Sequence, residues 1–249
     1  YQTRSIARKV GTLKSFYIYL FRSLIVLENP WQEIKIPQKN VPPPVCLEEI
    51  QIQKLLDHLA VPQNFDELRN RALLELLYSA GMRIGELVKI QVSDIDLQEK
   101  TVRLSGRKNK ERFSIIGPKA EEALRFYLEQ RPHKNASSST ETENPLWVSR
   151  FGKKVSEQTI RKILKQYLSA IGIDFHYTPH SIRNSFANHL LKHGAHPRIV
   201  QELMGYAHLS TTQVHLVKRN EKLRNVYERS HPHAQWNPPL PFKEEEKKE

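Results

Sequence analysis

His180 and Arg183 stand three residues apart, directly after Thr178 and Pro179. Threonine is a good N-cap, and proline suits the first helical position because it has no N–H to leave unpaired. The spacing therefore predicts a helix opening here, with both side chains on one face of its first turn. A helix N-terminus attracts phosphate, and a guanidinium beside it adds bidentate anion recognition. Gly194 ends this helix, Pro197 opens another that runs to Met204, and Ser210 caps a short third carrying Thr211, Thr212 and His215. Tyr206 and His208 fall between them. The stretch 178–215 thus reads as a cluster of helix ends facing one anionic centre.

Two other segments carry groups of the same kind. Arg83 follows Gly81, a good helix stop, and precedes Glu86 by three residues. Alone, this fragment describes a surface arginine equally well. Residues 101–104 and 112–116 alternate like the strands of a β-hairpin around 105–111, and between Lys100 and Arg112 there are six basic residues and one acid. A hairpin tip loaded with donors (Arg107, Lys108, Lys110, Arg112) either stays solvated or meets a phosphate.

The elements that must position these groups are mostly helical. Residues 1–40 read as a long basic helix followed by an extended segment. Arg4, Arg8, Lys9, Lys14, Arg22, Lys35 and Lys39 against Glu28 and Glu33 give a net +5, opposite an apolar stripe of Ile6, Val10, Leu13, Phe16, Tyr17 and Leu20. Such a helix is more often a core helix with a solvated face than a DNA contact. The proline-rich run at 36–45 is a stiff linker. Helices are predicted over 48–59, 66–79, 118–130 and 156–170, with a polar loop at 133–145 and a short β-element at 146–155. A basic helix over 218–229 presents Leu223, Val226 and Tyr227 to a groove, and the tail 238–249 is expected to be disordered.

Composition narrows the partner. The chain has 249 residues, 39% of them hydrophobic, a net charge of +12 and a pI near 9.7. That balance favours a polyanion, although charge alone describes a basic soluble protein as well. Cys46, the single cysteine, allows neither a disulfide framework nor a cysteine metal site, and reads as an inert thiol. No apolar run approaches the roughly 18 residues of a membrane span, and no secretory signal is visible, so a cytoplasmic location is expected, nucleoid-associated where the polyanion is DNA. The histidines at 176, 180, 189, 193, 196 and 208 do not form a metal motif, and there is no glycine loop for ATP. No cofactor and no metal are expected.

The runs His180-Ser-Ile-Arg183-Asn-Ser-Phe-Ala-Asn-His-Leu-Leu191, Met204-Gly-Tyr206 and Ser210-Thr-Thr-Gln-Val-His215 together resemble the second half of the tyrosine recombinase (phage integrase) catalytic domain, in particular Xer-type recombinases. Gly81-Met-Arg83-Ile-Gly-Glu86-Leu87 followed by Asp94-Ile-Asp96 is similar to the family's first catalytic motif, and Gly106-Arg107-Lys108-Asn-Lys110-Glu-Arg112 to its hairpin motif. The run from Ser5 to Leu20, ending Glu28-Asn-Pro30, resembles the last helix of the family's helical DNA-clamping domain. The resemblance implies a mainly α fold with a small β-sheet (α+β), a tyrosine recombinase catalytic domain preceded by part of a helical core-binding domain. The expected division is 1–36 for that part, 37–46 for the linker, 47–231 for the catalytic domain and 232–249 for the tail.

On that match, Arg83 and Arg183 are the two catalytic arginines, His180 assists proton transfer, and Glu86 orients Arg83. The family's lysine acid is Arg107 here, and arginine is a poor general acid because its pKa of roughly 12.5–13.8 holds its proton. Lys108, next along, substitutes for it if the loop shifts by one residue. The family's third-motif His or Trp is Tyr206, with His208 nearby, and its nucleophilic tyrosine is His215. Arg4, Arg8, Lys9, Lys14, Lys110, Arg112, Lys218 and Arg219 are candidate DNA contacts. The implied partner is double-stranded DNA, and the implied assembly is a tetramer, of one chain or with a related recombinase, joined through the C-terminal helix.

Two functions of different class follow. The first is a strand-exchange recombinase that cleaves and rejoins DNA through a covalent protein–DNA intermediate, impaired by His215 at the nucleophile position. The second is a DNA-binding paralogue on the same fold that no longer cuts. An RNA-binding module would need aromatic stacking signatures that the sequence does not show.

Overall fold

A computed structural model describes residues 3–34, 44–105, 111–132, 144–173, 176–205 and 221–235. The chain divides into two compact units, Tyr1–Pro43 and Pro44–Glu249. Several sequence expectations lie outside the described residues: most of the linker, the hairpin tip with Arg107, Lys108 and Lys110, the 133–143 loop, the 206–220 segment with Tyr206, His208, Ser210, His215, Lys218 and Arg219, and the tail from 236.

The first unit is built on helix α1 (Thr3–Arg22). Its partner is the return segment that follows, where Trp31 lies 6.2 Å from the Tyr17 ring and Lys14 Nζ donates to the Gln32 carbonyl at 3.2 Å. Val10, Tyr17 and Leu20 of the expected stripe are half-buried, whereas Ile6, Leu13 and Phe16 are exposed. Arg8 and Lys9 stand at the surface.

The second unit follows the sequence's capping signals closely. Asn64 accepts from the Glu67 amide and starts α3 (Phe65–Ser79), after α2 (Glu49–Asp57). Side-chain caps of this kind stabilise a helix by about 1 kcal/mol. Gly81 adopts φ +53 and ends α3, and α4 (Ile84–Leu87) is a single turn. A 3₁₀ turn (Val92–Asp94) leads into a three-stranded antiparallel sheet in the order β1 (Ile95–Asp96), β2 (Thr101–Ser105), β3 (Glu111–Ile115). The β2–β3 register runs from Thr101↔Ile115 to Ser105↔Glu111, which pairs Leu104 with Arg112.

Helix α5 (Pro118–Gln130) opens on proline, and Ser156 caps α6 (Glu157–Ala170). The β-element expected over 146–155 reduces to isolated bridges, Gln91↔Pro145 and Val148↔Lys154. Trp147 holds this region: its indole N–H donates to the Leu87 carbonyl at 3.0 Å and its ring stacks on Tyr127. Thr178 and Pro179 open α7 (Pro179–Lys192), and α8 (Pro197–Met204) has the bounds its sequence predicts. Helices α9 (Glu221–Ser230) and α10 (Pro232–Gln235) complete the described chain.

The core lies where α3 packs on α5 and α7. Ala72, Leu73, Leu76 and Leu77 of α3, Ala123 and Leu124 of α5, and Phe186 and Leu190 of α7 are all fully buried. Burying a Leu or Phe side chain of this kind contributes roughly 1.5–3 kcal/mol. Ser79 Oγ, at the end of α3, accepts from the Gly117 amide at 2.6 Å and so fixes the start of α5.

The apolar face read in the C-terminal helix is seated in a groove: α9 lies on its own chain, with Leu223 and Tyr227 3% and 1% exposed. Tyr227 Oη donates to the Ser79 carbonyl at 3.0 Å and lies 2.8 Å from Ser79 Oγ. Among the described residues, no helix is long and apolar enough to cross a membrane.

Candidate active site

The site begins at the end of α3. Gly81 brings the chain so close to α7 that a Cβ there would meet the Phe186 ring at 2.3 Å, and its positive φ also disfavours a side chain. Released by this turn, Arg83 precedes α4 with a side chain 47% exposed. Glu86, three residues on, folds back. Its Oε2 accepts from the Arg83 amide at 2.7 Å and its Oε1 from Arg83 Nη1 at 2.9 Å. The orienting role expected for Glu86 therefore has a geometric counterpart in two hydrogen bonds.

Glu86 gathers more than one arginine. Arg112 Nη2 donates to its Oε2 at 2.9 Å, and Arg183 Nη1 lies 4.0 Å from the same oxygen. Burial alone would raise the Glu86 carboxyl, but Arg112 and then Arg83 outweigh it and hold the group below its ordinary value. One ionised carboxylate thus sits among three guanidiniums, a local excess of two positive charges. Such an arrangement favours a bound anion, because the donors are fixed before any charge develops on the ligand.

Arg183 and His180 occupy the first turns of α7 but face different surroundings. Arg183 is 1% exposed, and its Nη1 and Nη2 donate to the carbonyls of Gly81 and Met204, each at 2.5 Å. It therefore ties the Arg83 turn to the end of α8. His180 is exposed at the N-terminal end of the same helix. Thr178 and Ser181 cap this end reciprocally, at 3.4 and 3.2 Å. The structure thus brings Arg83, Glu86, Arg112 and Arg183 into one cluster, and α7 carries His180 on its opening turn.

Arg112 requires a correction. Its place beside the hairpin tip suggested a DNA contact. Instead its guanidinium points inward, 13% exposed, and bonds the Leu203 carbonyl at 2.7 Å as well as Glu86. The reason is strand alternation. Arg112 and Ser114 share one face of β3, and Ser114 Oγ donates to the Ala80 carbonyl at 3.0 Å, so that face is applied to the Arg83 turn. Alternation was visible in the sequence, but which face of β3 turns inward was not. The buried Ser79–Tyr227 pair was also missed. Arg107, Lys108, Lys110, Tyr206, His215, Lys218 and Arg219 lie outside the described residues, as does the Arg4 side chain.

Residues 46–222 match the profile described as the Phage integrase family. The tyrosine recombinase XerC of Halalkalibacterium halodurans (strain C-125) is 38% identical over 236 residues, covering 94% of this chain and 78% of that protein. The crystal structure of XerA recombinase is similar at TM-score 0.56 and 26% identity, over 88% of this chain and 74% of that one. The XerH site-specific recombinase, solved bound to palindromic difH substrate as a post-cleavage complex, shares the fold at TM-score 0.61 and 21% identity, over 82% of this chain and 58% of that one.

Proposed function

The chain belongs to the phage integrase family, and from that premise we propose that it binds double-stranded DNA and carries the framework for site-specific strand cleavage and rejoining. The observation that carries this reading is Glu86 among Arg83, Arg112 and Arg183, a preorganised cationic cluster with Arg83 open to solvent. A phosphodiester meeting the exposed Arg83 would find fixed donors for its non-bridging oxygens.

The reaction in this reading balances without an external energy source. A nucleophile attacks phosphorus, a protein–3′-phosphate bond forms, the bond to the 5′ oxygen breaks, and that oxygen takes a proton from a donor such as Lys108 or His180. A 5′ hydroxyl from another strand then attacks the covalent intermediate, rejoining DNA and freeing the protein. His215 stands where the family has its attacking tyrosine, so the native chain is proposed to be limited at this step. The difference at position 215 equally favours a second reading, a DNA-binding protein on this fold that no longer cuts. Assembly as a tetramer on DNA belongs to the first reading and is read from the size of the DNA complex.

The deciding experiment incubates radiolabelled, nicked suicide duplexes with the native chain and with His215→Tyr, and resolves the products in SDS. The expected result is salt-dependent binding by both and a covalent adduct from His215→Tyr, with little or none from the native chain. Trapping by both at equal rates would overturn the limiting role of position 215. Binding by both without an adduct from either favours the second reading. Binding whose affinity does not fall with salt would overturn the DNA reading itself, since phosphate contacts release counterions.

A further inference from the structure

We propose that Arg112 is a positioning residue for the arginine cluster, not a DNA contact; this rests on the reading of that cluster as a phosphate clamp. Three observations converge on it. Arg112 is the residue through which β3 reaches both sides of the site: Nη2 holds Glu86, which in turn holds the Arg83 backbone and side chain, and Nη1 holds the Leu203 carbonyl at the end of α8. Its neighbour on the same strand face, Ser114, bonds the Ala80 carbonyl, so two consecutive inward positions of β3 grip the turn that presents Arg83. The chain at Gly205 is shaped to admit it, since a Cβ there would lie 2.4 Å from Arg112 Cδ, and Gly205 has φ +61.

The connectivity gives this arrangement its consequence. Arg112 is two residues past the hairpin segment 106–110, which contains Arg107 and Lys108, and Leu203 and Gly205 are three residues and one residue before Tyr206. Fixing the one guanidinium therefore sets, relative to Arg83, the described residues to which both of those segments are joined. Arginine suits this because its planar fork offers two parallel donors, whereas lysine presents a single point donor. Arg183 makes a similar tie from α7, bonding Gly81 and Met204, so the end of α8 is held by two arginines from two different elements.

The test uses Arg112→Met, Arg112→Lys and Gly205→Ala in the full chain, each also combined with Arg83→Ala. The first measurement is affinity for a generic duplex across a salt series. A positioning role predicts that Arg112→Met lowers the salt slope no further once Arg83→Ala is present, because any phosphate contact it costs is the one Arg83 makes. It also predicts that Arg83→Ala weakens binding at least about threefold less in the Arg112→Met background than in the parent, because the clamp is already displaced. A slope reduced by about 0.9, with additive effects of the two substitutions, would make Arg112 a phosphate contact and overturn the proposal.

The second measurement is hydrogen exchange, in which residues 111–115 and 201–205 should lose protection together while α6 does not. Unchanged protection in both segments also overturns the proposal. In the His215→Tyr background, the trapping rate at saturating DNA should fall about 100-fold with affinity within about threefold. Arg112→Lys should not restore it, and Gly205→Ala should reproduce it. If the parent shows no salt-dependent binding, the DNA reading fails, and the exchange result still decides whether Arg112 holds the Arg83 turn.

Discussion

Helix α7 delivers a buried residue to each of two polar clusters, and they treat charge in opposite ways. At its first turns Arg183 joins Arg83, Arg112 and Glu86, where three guanidiniums surround one carboxylate. Two turns later His189 joins Tyr78, His231, His233 and Glu75, beneath α10. There His189 Nδ1 lies 2.9 Å from Tyr78 Oη and Nε2 lies 3.0 Å from the Leu47 carbonyl. Those bonds fit a neutral ring that donates through Nε2 and accepts at Nδ1. Burial drives the imidazoles of His189 and His231 below their ordinary value. It likewise raises the Tyr78 and Tyr227 hydroxyls. The fold holds a carboxylate ionised in the cluster that opens to solvent at Arg83 and disfavours the charged form of two imidazoles where the C-terminal segment closes over α3.

The comparison is broken most severely at Glu86. Glu86→Gln keeps the shape and removes the carboxylate from among three guanidiniums, and is expected to lower stability by about 3 kcal/mol in urea unfolding. An unchanged midpoint would mean that the arginines do not depend on it.

Acidification tests the other cluster. His231 is fully buried, and neither ring nitrogen has a hydrogen-bond partner of normal geometry among the described residues. Burial pushes its pKa well down, His233 and His189 add to this, and the Tyr78 backbone only partly opposes it. The unfolded chain therefore takes up protons below about pH 6.5 that the folded chain refuses. This stability is complete above that pH and lost as pH falls below it, by up to about 1.4 kcal/mol per pH unit. Melting curves at pH 7.5, 6.5 and 5.5 should show the loss, and His231→Phe should flatten it. An equal slope in the variant would place the titration elsewhere.

The smallest effect sharpens the boundary between the two regions. Tyr227→Phe removes the hydroxyl shared with Ser79 and should cost about 1 kcal/mol. Because Ser79 Oγ keeps the Gly117 amide, DNA affinity should not change. A parallel loss of binding would show that the two clusters are mechanically coupled through the end of α3.

Much of this organisation was legible in the sequence because it is local. Pro118, Ser156, Thr178 with Pro179, and Pro197 mark helix starts through their own backbone chemistry, and the structure starts helices at each. The pairing of Arg83 with Glu86 was legible for the same reason, being a three-residue spacing. Arg112 was misread because its role depends on which face of β3 turns inward, and that is decided by elements 26 and 91 residues away along the chain. The burial of Tyr227 was legible in its apolar stripe, but its partner Ser79, 148 residues distant, was not. Local spacing locates the charges, whereas tertiary packing decides which of them face solvent.

The two ends of the 206–220 segment are held by unrelated means. Gly205 is fixed by the arginines that bond Leu203 and Met204, and α9 is fixed by burial of Leu223 and Tyr227. Both anchors are supplied by described residues on either side of it. The arginines that hold the end of α8, Arg112 and Arg183, are also the ones gathered around Glu86, so stability and chemistry draw on the same positions and a change at either is expected to cost both together.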